Sequence, residues 1–298
     1  MTFKEQLMQI SPHIQFDEPM KNHTTFRIGG KADMFVSIKS VSELTELIKL
    51  AKHHDIPFMV IGNGSNILVK DNGIRGLVIE IGAGLADCVI DGTKVFAQAG
   101  IKLSKLANEA ARASLTGLEE ISGIPGTLGG AIFMNAGAYG GEISTVIEKV
   151  DYVDEDGNLR SLTGSECEFS YRKTAFSHGG KYIVSATLKL AEGDSAQISE
   201  KMADYTKRRQ TKQPLAYPSA GSTFKRPEGY FAGQLIEQAG LKGFRIGDAM
   251  VSELHAGFII NCKNATASDV LHVIEHTKET VLAKFEVELE PEVRIIGE

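Results

Sequence analysis

The stretch Gly117–Gly141, GLEEISGIPGTLGGAIFMNAGAYGG, constrains this chain more than any other, because it packs 8 of the 31 glycines into 25 residues. Glycine lets backbone N–H groups come close to a ligand and lets the chain take φ > 0. A shorter turn of the same kind, IGNGSN at Ile61–Asn66, follows directly on the apolar run Phe58-Met59-Val60-Ile61. Successive N–H groups in such turns form concave anion sites, and a pyrophosphate is the anion they suit. One glycine turn alone is more simply a tight turn in a β-rich protein. Two, one of them rich in Ser, Thr and Asn donors, favour a bound nucleotide. Neither follows a helix-first phosphate motif. Gly62 and Gly64 lack the third glycine of GxGxxG, Gly123, Gly126 and Gly129 step by three, and GxxxxGK[ST] is absent. The expected arrangement is a cofactor laid across two loops.

A length of 298 residues leaves room for two domains, or three small ones. The 42% hydrophobic and 23% charged content is that of an ordinary soluble globular chain. With a net charge of −6 there is no global attraction to nucleic acid or membrane, and no apolar run reaches the length of a membrane span. The N-terminal stretch MTFKEQLMQISPHIQF is short, amphipathic and interrupted by Pro12, without the continuous apolar core of a signal peptide. Cys88, Cys167 and Cys262 are odd in number and far apart, matching neither a disulfide framework nor a zinc spacing. A reducing cytoplasm is expected. Nothing in the sequence specifies an oligomeric state.

Along the chain, Asp33–Ile38 has strand character. Ser40 and Glu43 fit a capping box, with Val41, Leu44, Leu47, Ile48 and Ala51 following at helical spacing. This helix is expected to stop by Asp55, before Pro57, and Phe58–Ile61 to return as a strand carrying IGNGSN at its C-terminal end. That is a β-α-β unit with its ligand loop where such sheets bind ligands. Short strands are expected at Ile67–Val69, Leu77–Ile81, Val89–Ile90 and Lys94–Ala97, then a helix over Leu103–Ala113. Asp156-Gly157 marks a hairpin between Ile147–Val153 and Leu159–Leu162, and Tyr182–Leu190 reads as another strand. Ser195–Gln210 reads as a helix ending in basic residues, and the prolines of Gln213–Ser219 mark a domain boundary. Beyond it come a short helix at Gly233–Gln238, a strand at Gly257–Ile260 and the longest helix at Ser268–Lys284. In that last helix Val270, Leu271, Ile274, Thr277 and Val281 lie on one side.

The segments NHTTFRIGG, IGNGSN, SGIPGTLGGAIFMNAGAYG, SYRKTAF, AGSTFKRP and LEPEVRIIG, in this order and spacing, resemble the UDP-N-acetylenolpyruvoylglucosamine reductase (MurB) family from about Asn22 to Gly297. The chain is similar to the shorter class, which lacks an additional loop and tyrosine over the substrate. The resemblance implies an α+β fold. It consists of a vanillyl-alcohol-oxidase (PCMH)-type FAD-binding domain of two lobes, 1–66 and 67–206, and a C-terminal α+β substrate-binding domain, 207–298, whose last strand can return to the FAD site. It further implies non-covalent FAD, NADPH as co-substrate, and reduction of an enolpyruvyl ether to a lactyl ether in peptidoglycan synthesis. An FAD-dependent alcohol or sugar oxidase of the same fold is the alternative.

On that resemblance Arg172, in SYRKTAF, holds the substrate carboxylate with its fork. Ser222, in AGSTFKRP, donates the proton, with Lys225 placed to assist. Glu292, the residue after Pro291, stabilises the enolate. From spacing alone Glu290 is an equal alternative to Glu292, since both lie on one face of a strand. The cofactor residues implied are Gly62, Asn63, Gly64, Ser65 and Asn66 in the first loop. In the second they are Ser122, Gly123, Ile124, Pro125, Gly126, Thr127, Gly129, Gly130, Asn135 and Gly137. Arg208 and Lys212, in KRRQTK, are expected to meet the UDP pyrophosphate, although a solvated helix end is the bland alternative. Tyr171, Lys225 and Gln234 are further substrate-side candidates. Arg226 is given no role. His272 and His276 stand at i, i+4 without a carboxylate or cysteine partner, so no metal is expected.

Overall fold

The apolar spacing after Ser40 folds as the helix Val41–His53, with Leu44, Leu47, Ile48, Leu50 and Ala51 buried. In the computed structural model, which describes residues 2–298, this helix belongs to the first of two units. That unit comprises Met1–Gln15, Met34–Asn63 and Gly76–Arg209; the second comprises Phe16–Asp33, Gly64–Arg75 and Gln210–Glu298. Each unit has a hydrophobic core of its own.

In the first unit the Ser40 hydroxyl accepts from Glu43 N at 3.1 Å, as the capping box requires. The reciprocal half is replaced: the Glu43 carboxylate accepts from Lys39 N at 2.7 Å and from the Ser11 hydroxyl at 2.5 Å. Ser11 is the C-cap of a helix over Phe3–Ile10 that the sequence reading passed over. Its signal was a full capping box between Thr2 and Glu5. The strand Phe58–Ile61 pairs in parallel with Ile74–Glu80, Phe58 opposite Leu77 and Ile61 opposite Glu80.

The middle of the chain forms a five-stranded antiparallel sheet. Its order is Leu159–Thr163, Ile147–Asp154, Lys181–Lys189, Lys94–Gln98, Cys88–Asp91. The Asp156-Gly157 hairpin stands where it was expected, with Val153 opposite Leu159 and Gly157 at φ +76. The helix Leu103–Arg112 buries Leu103, Leu106, Ala107 and Ala110, the face expected from spacing.

The long glycine stretch is not loop throughout. It contains a short helix, Leu128–Phe133. Gly129 and Gly130 hid it, since glycine is a poor helix former. Its first turn is held from outside: Leu128 N donates to Ile101 O at 2.9 Å and Gly129 N to Ala99 O at 2.8 Å. A Cβ on Gly129 would lie 3.0 Å from the Ala99 Cβ, so a side chain there would push Ala99 aside by a few tenths of an ångström. The helix Ser195–Lys212 follows the sheet and has one buried residue, Ile198.

The second unit packs Phe26, Ile28, Leu68, Phe224, Leu235, Ile236 and Val251 around the helix Ala267–Phe285. On that helix Val273 is buried and Leu271 only partly so, a small rotation from the expected face. His276 stacks on Phe244, with centroids 4.1 Å apart and planes at 19°, which gives it a packing role. Three short strands, Arg245–Ile246, Ala249–Val251 and Ile259–Asn261, form an antiparallel sheet. Ile67–Val69 is not part of the middle sheet. It pairs in parallel with the last strand, Arg294–Ile296. Just beyond it the Asp71 carboxylate accepts from Ala267 N (2.8 Å), Ser268 N (2.9 Å) and the Ser268 hydroxyl (2.5 Å), capping the longest helix from outside its own segment.

Candidate active site

In the first unit the two glycine turns meet. A Cβ on Gly62 would lie 2.6 Å from the Thr127 hydroxyl, so only a glycine lets the loops approach this closely. Asn63 Nδ2 donates to the Pro125 carbonyl at 2.7 Å and ties one loop to the other. The N–H groups of Gly62 and Asn63 on one side, and of Gly123, Thr127 and Gly130 on the other, donate to no protein acceptor among the described residues. Free N–H groups on adjoining glycine turns make an anion cradle. Thr127 is buried with its hydroxyl facing the same gap. This fits a nucleotide pyrophosphate such as that of FAD. Ser122 is buried as well, but its hydroxyl donates to Glu119 O at 2.7 Å and is left only acceptor capacity. Gly123 has a second reason to be glycine: the Arg209 side chain lies across it, Cδ 3.0 Å from where a Cβ would stand, and Arg209 donates to the Gly123 carbonyl.

Arg172 stands at the tip of a two-residue turn. Ser170 N donates to Lys173 O at 2.9 Å and Lys173 N to Ser170 O at 3.2 Å, leaving Tyr171 and Arg172 to close the loop. Arg172 takes φ +57, a left-handed conformation that costs a non-glycine residue about 1–2 kcal/mol. Its guanidinium is half-buried. It donates to Asn135 O (3.3 Å) and Gly137 O (3.4 Å) and lies 4.8 Å from the centroid of the exposed Tyr171 ring. Asn135, 1% exposed and at φ +41, donates in turn to Glu142 and to Ser170 O. Asn135, Gly137, Tyr171 and Arg172 are thus one hydrogen-bonded cluster. The sequence could list them but not join them.

Arg208 pairs with Asp204 at 2.7 Å on its own helix and faces the Tyr205 ring. Its neighbour Arg209 was overlooked in the sequence. It is half-buried against the glycine loop, where burial lowers its pKa. Tyr205 on the same helix stacks on Tyr139, centroids 4.7 Å apart, so the end of this helix lines the second glycine stretch.

The second unit holds the remaining candidate residues. Gly64 is at φ +61 and a Cβ there would lie 2.0 Å from the His23 carbonyl, while Thr25 N donates to Gly64 O at 3.2 Å. The segment NHTT therefore backs the first loop. The N–H groups of Gly64, Ser65 and Asn66 also donate to no protein acceptor among the described residues. Ser222 is exposed and follows Gly221, which is at φ +78. Beyond it Phe224 bridges Pro291, Glu292 N donates to Thr223 O at 2.8 Å, and Lys225 N donates to Glu290 O at 2.8 Å. This pairing sets Glu292 beside the serine's neighbour. It also separates the two carboxylates that spacing left equal: Glu290 is mostly exposed and pairs with Lys225, while Glu292 is half-buried. Lys225 is thus engaged by Glu290. Asn66 Nδ2 donates to Glu292 O at 3.2 Å. Gln234 is exposed on the helix Ala232–Gln238, and Lys212 is exposed at the end of Ser195–Lys212.

Residues 213–296 match the C-terminal domain of UDP-N-acetylenolpyruvoylglucosamine reductase, and residues 32–163 match an FAD binding domain. The reductase of Caldanaerobacter subterraneus subsp. tengcongensis is 51% identical over 96% of this chain and 94% of its own length. That of Clostridium tetani is 50% identical over 97% and 94%. The chain belongs to the UDP-N-acetylenolpyruvoylglucosamine reductase family. A crystal structure of the Thermus caldophilus member of the MurB family superimposes with a TM-score of 0.81 at 35% identity, over 96% of this chain and 98% of that one. The grass-pollen protein Phl p 4, which has glucose dehydrogenase activity, matches 65% of this chain and 45% of its own with a TM-score of 0.51 at 15% identity; that likeness is one of fold alone. This MurB-family chain is therefore an α+β flavoprotein oxidoreductase with an FAD-binding and a MurB C-terminal domain. No helix among its described residues is long and apolar enough to cross a membrane.

Proposed function

We infer that the protein catalyses the NADPH-dependent, FAD-mediated reduction of UDP-N-acetylenolpyruvoylglucosamine to UDP-N-acetylmuramate in peptidoglycan synthesis, in the cytoplasm. The observation that carries this is the 51% identity to a named reductase over nearly the full length of both chains. On this reading residues 1–66 and 67–206 serve the cofactor and 207–298 the sugar nucleotide. The pairing of the last strand with Ile67–Val69, which follows the loop Gly62–Asn66 in sequence, supports the return of that strand to the cofactor site.

FAD held by the two glycine turns would, once reduced by NADPH, supply a hydride to the terminal methylene carbon of the enolpyruvyl ether. The C=C pair moves onto the α-carbon, and the negative charge spreads into the carboxylate. Arg172 is suited to hold that carboxylate, since a guanidinium offers two parallel donors to two oxygens. Its turn fixes it before substrate arrives, which is how preorganised charge lowers a barrier. Ser222 Oγ gives its proton to the α-carbon and recovers one from solvent. Glu292 is assigned to steady the enolate, a role supported by its half-burial and by the hydrogen bond from its N–H to the carbonyl of Thr223, next to Ser222. Arg208, Lys212, Tyr171, Lys225 and Gln234 are assigned to the sugar nucleotide. The ion pairs Arg208–Asp204 and Lys225–Glu290 are exposed and weak enough to be exchanged for phosphate.

The test is anaerobic. NADPH added to the yellow protein bleaches it, and the enolpyruvyl ether then restores the colour with one lactyl ether formed per flavin. Recovery only with oxygen would establish an oxidase and overturn the assignment.

A further inference from the structure

We propose that Asn66 is a positioning residue for Glu292, so that the order of the first glycine loop and the placement of the enolate-stabilising carboxyl are one structural event. The inference rests on the role given to Glu292 above and adds to it.

Asn66 is joined to the Glu292 segment from both ends of its own residue. Its side-chain Nδ2 donates to Glu292 O at 3.2 Å, and its backbone carbonyl accepts from Arg294 N at 3.0 Å. Those contacts bracket Glu292 and Val293 against the last residue of the loop. From there the pairing continues regularly, Ile67 opposite Arg294 and Val69 opposite Ile296. On its other edge Glu292 N donates to Thr223 O at 2.8 Å, next to Ser222. Glu292 therefore lies between Asn66 and the serine segment, with a backbone or side-chain hydrogen bond to each. Asn66 is itself the end of the run Gly62–Asn66 whose N–H groups donate to no protein acceptor among the described residues. A loop with that many open donors is ordered by the anion it binds. Ordering it fixes Asn66, and through Nδ2 it fixes the main chain of Glu292. A carboxyl displaced by an ångström loses most of its hold on the enolate.

The side chain can be removed without undoing the strand pairing, because Arg294 N meets the Asn66 carbonyl, which any residue supplies. Asn66→Asp replaces the donor with an oxygen facing the Glu292 carbonyl, and Asn66→Ala removes it. Stopped flow without oxygen separates flavin reduction by NADPH from flavin reoxidation by the enolpyruvyl ether. Both variants are expected to slow reoxidation about tenfold or more relative to reduction, with an increased solvent deuterium isotope effect on reoxidation. A purely structural or purely cofactor-binding side chain would instead lower flavin content and both rates together, and that result overturns the proposal. Glu292→Gln and Ser222→Ala run in the same experiment. If they slow reoxidation and the Asn66 variants do not, this inference alone fails; if Glu292→Gln has no effect, the role of Glu292 fails first.

Discussion

Asn63 reaches across from the first glycine turn and donates its side-chain Nδ2 to the Pro125 carbonyl of the second, at 2.7 Å. Two turns far apart in sequence are held by this one hydrogen bond at the place where their free N–H groups converge. Asn63→Ala should weaken FAD retention about tenfold while costing the fold only about 1 kcal/mol, the net value of a partly exposed hydrogen bond. Flavin fluorescence titration and thermal melts, run side by side, check the two halves of this expectation.

The contact of Gly62 with Thr127 predicts a compensation. A methyl at Gly62 would stand 2.6 Å from the Thr127 hydroxyl and 3.9 Å from its Cβ. Gly62→Ala should therefore lose flavin, and Thr127→Ala in the same chain should restore much of it, because the clash is with the hydroxyl alone. Residues in contact are not additive, and a double-mutant cycle on flavin content measures the coupling.

At Arg172 the charge and the backbone can be tested separately. Arg172→Lys keeps the cation but cannot reach the carbonyls of Asn135 and Gly137 together, so kcat should fall by about 100-fold with little change in Tm. Between two variants that both remove the side chain's chemistry, Arg172→Gly should be more stable than Arg172→Ala by about 1 kcal/mol, since only glycine takes φ +57 without strain. Chemical denaturation of the pair decides it.

The Asp71 cap gives an acid limit to stability. Burial by itself would raise the Asp71 pKa, but the hydrogen bonds from the Ser268 hydroxyl and from the N–H groups of Ala267 and Ser268 outweigh it and hold the carboxylate below its ordinary value. A depressed folded pKa stabilises fully above the unfolded value, near about 4, and that stability is lost as pH falls through the folded value. Asp71→Asn should cost about 1 kcal/mol at neutral pH, and the gap from the parent should close as pH falls below about 4. Melting curves across that range test the sign.

Cysteine reactivity should follow burial. The Cys167 thiol is fully buried and pushed up to about 11, chiefly by burial. The pKa values of Cys88 and Cys262, both partly exposed, are raised as well. At mildly alkaline pH an alkylating reagent should modify Cys88 and Cys262 slowly and Cys167 only on unfolding, since the thiolate is the reacting form. Peptide mass mapping against time reads this directly.

The helices with clean apolar spacing were legible, and so were the hairpin at Asp156-Gly157 and the meeting of two glycine turns. These depend on local period or on glycine chemistry, both of which a sequence displays. The helix inside the glycine stretch was not legible, because its support comes from the carbonyls of Ala99 and Ile101 and not from its own residues. Ile67–Val69 read correctly as a strand, but its pairing with Arg294–Ile296 was not legible, since three apolar residues carry no information about their partner. In the candidate site the residue types were readable and their relations were not. Glu290 and Glu292 are equivalent by spacing, and only the bridge from Phe224 to Pro291 and the Lys225 ion pair tell them apart. Arg209 was passed over for Arg208 because the phase of a polar helix with one buried residue cannot be read from its sequence.

The strand that continues the first glycine loop has its hydrogen-bonding partner in the last residues of the chain, Arg294–Ile296. During synthesis the N-terminal end emerges first, so Ile67–Val69 waits for nearly the whole polypeptide before it can pair. A nascent chain that has made both glycine turns but not yet Arg294–Ile296 lacks the strand that anchors one of them. Order at the end of the first glycine loop therefore depends on a segment made long after it.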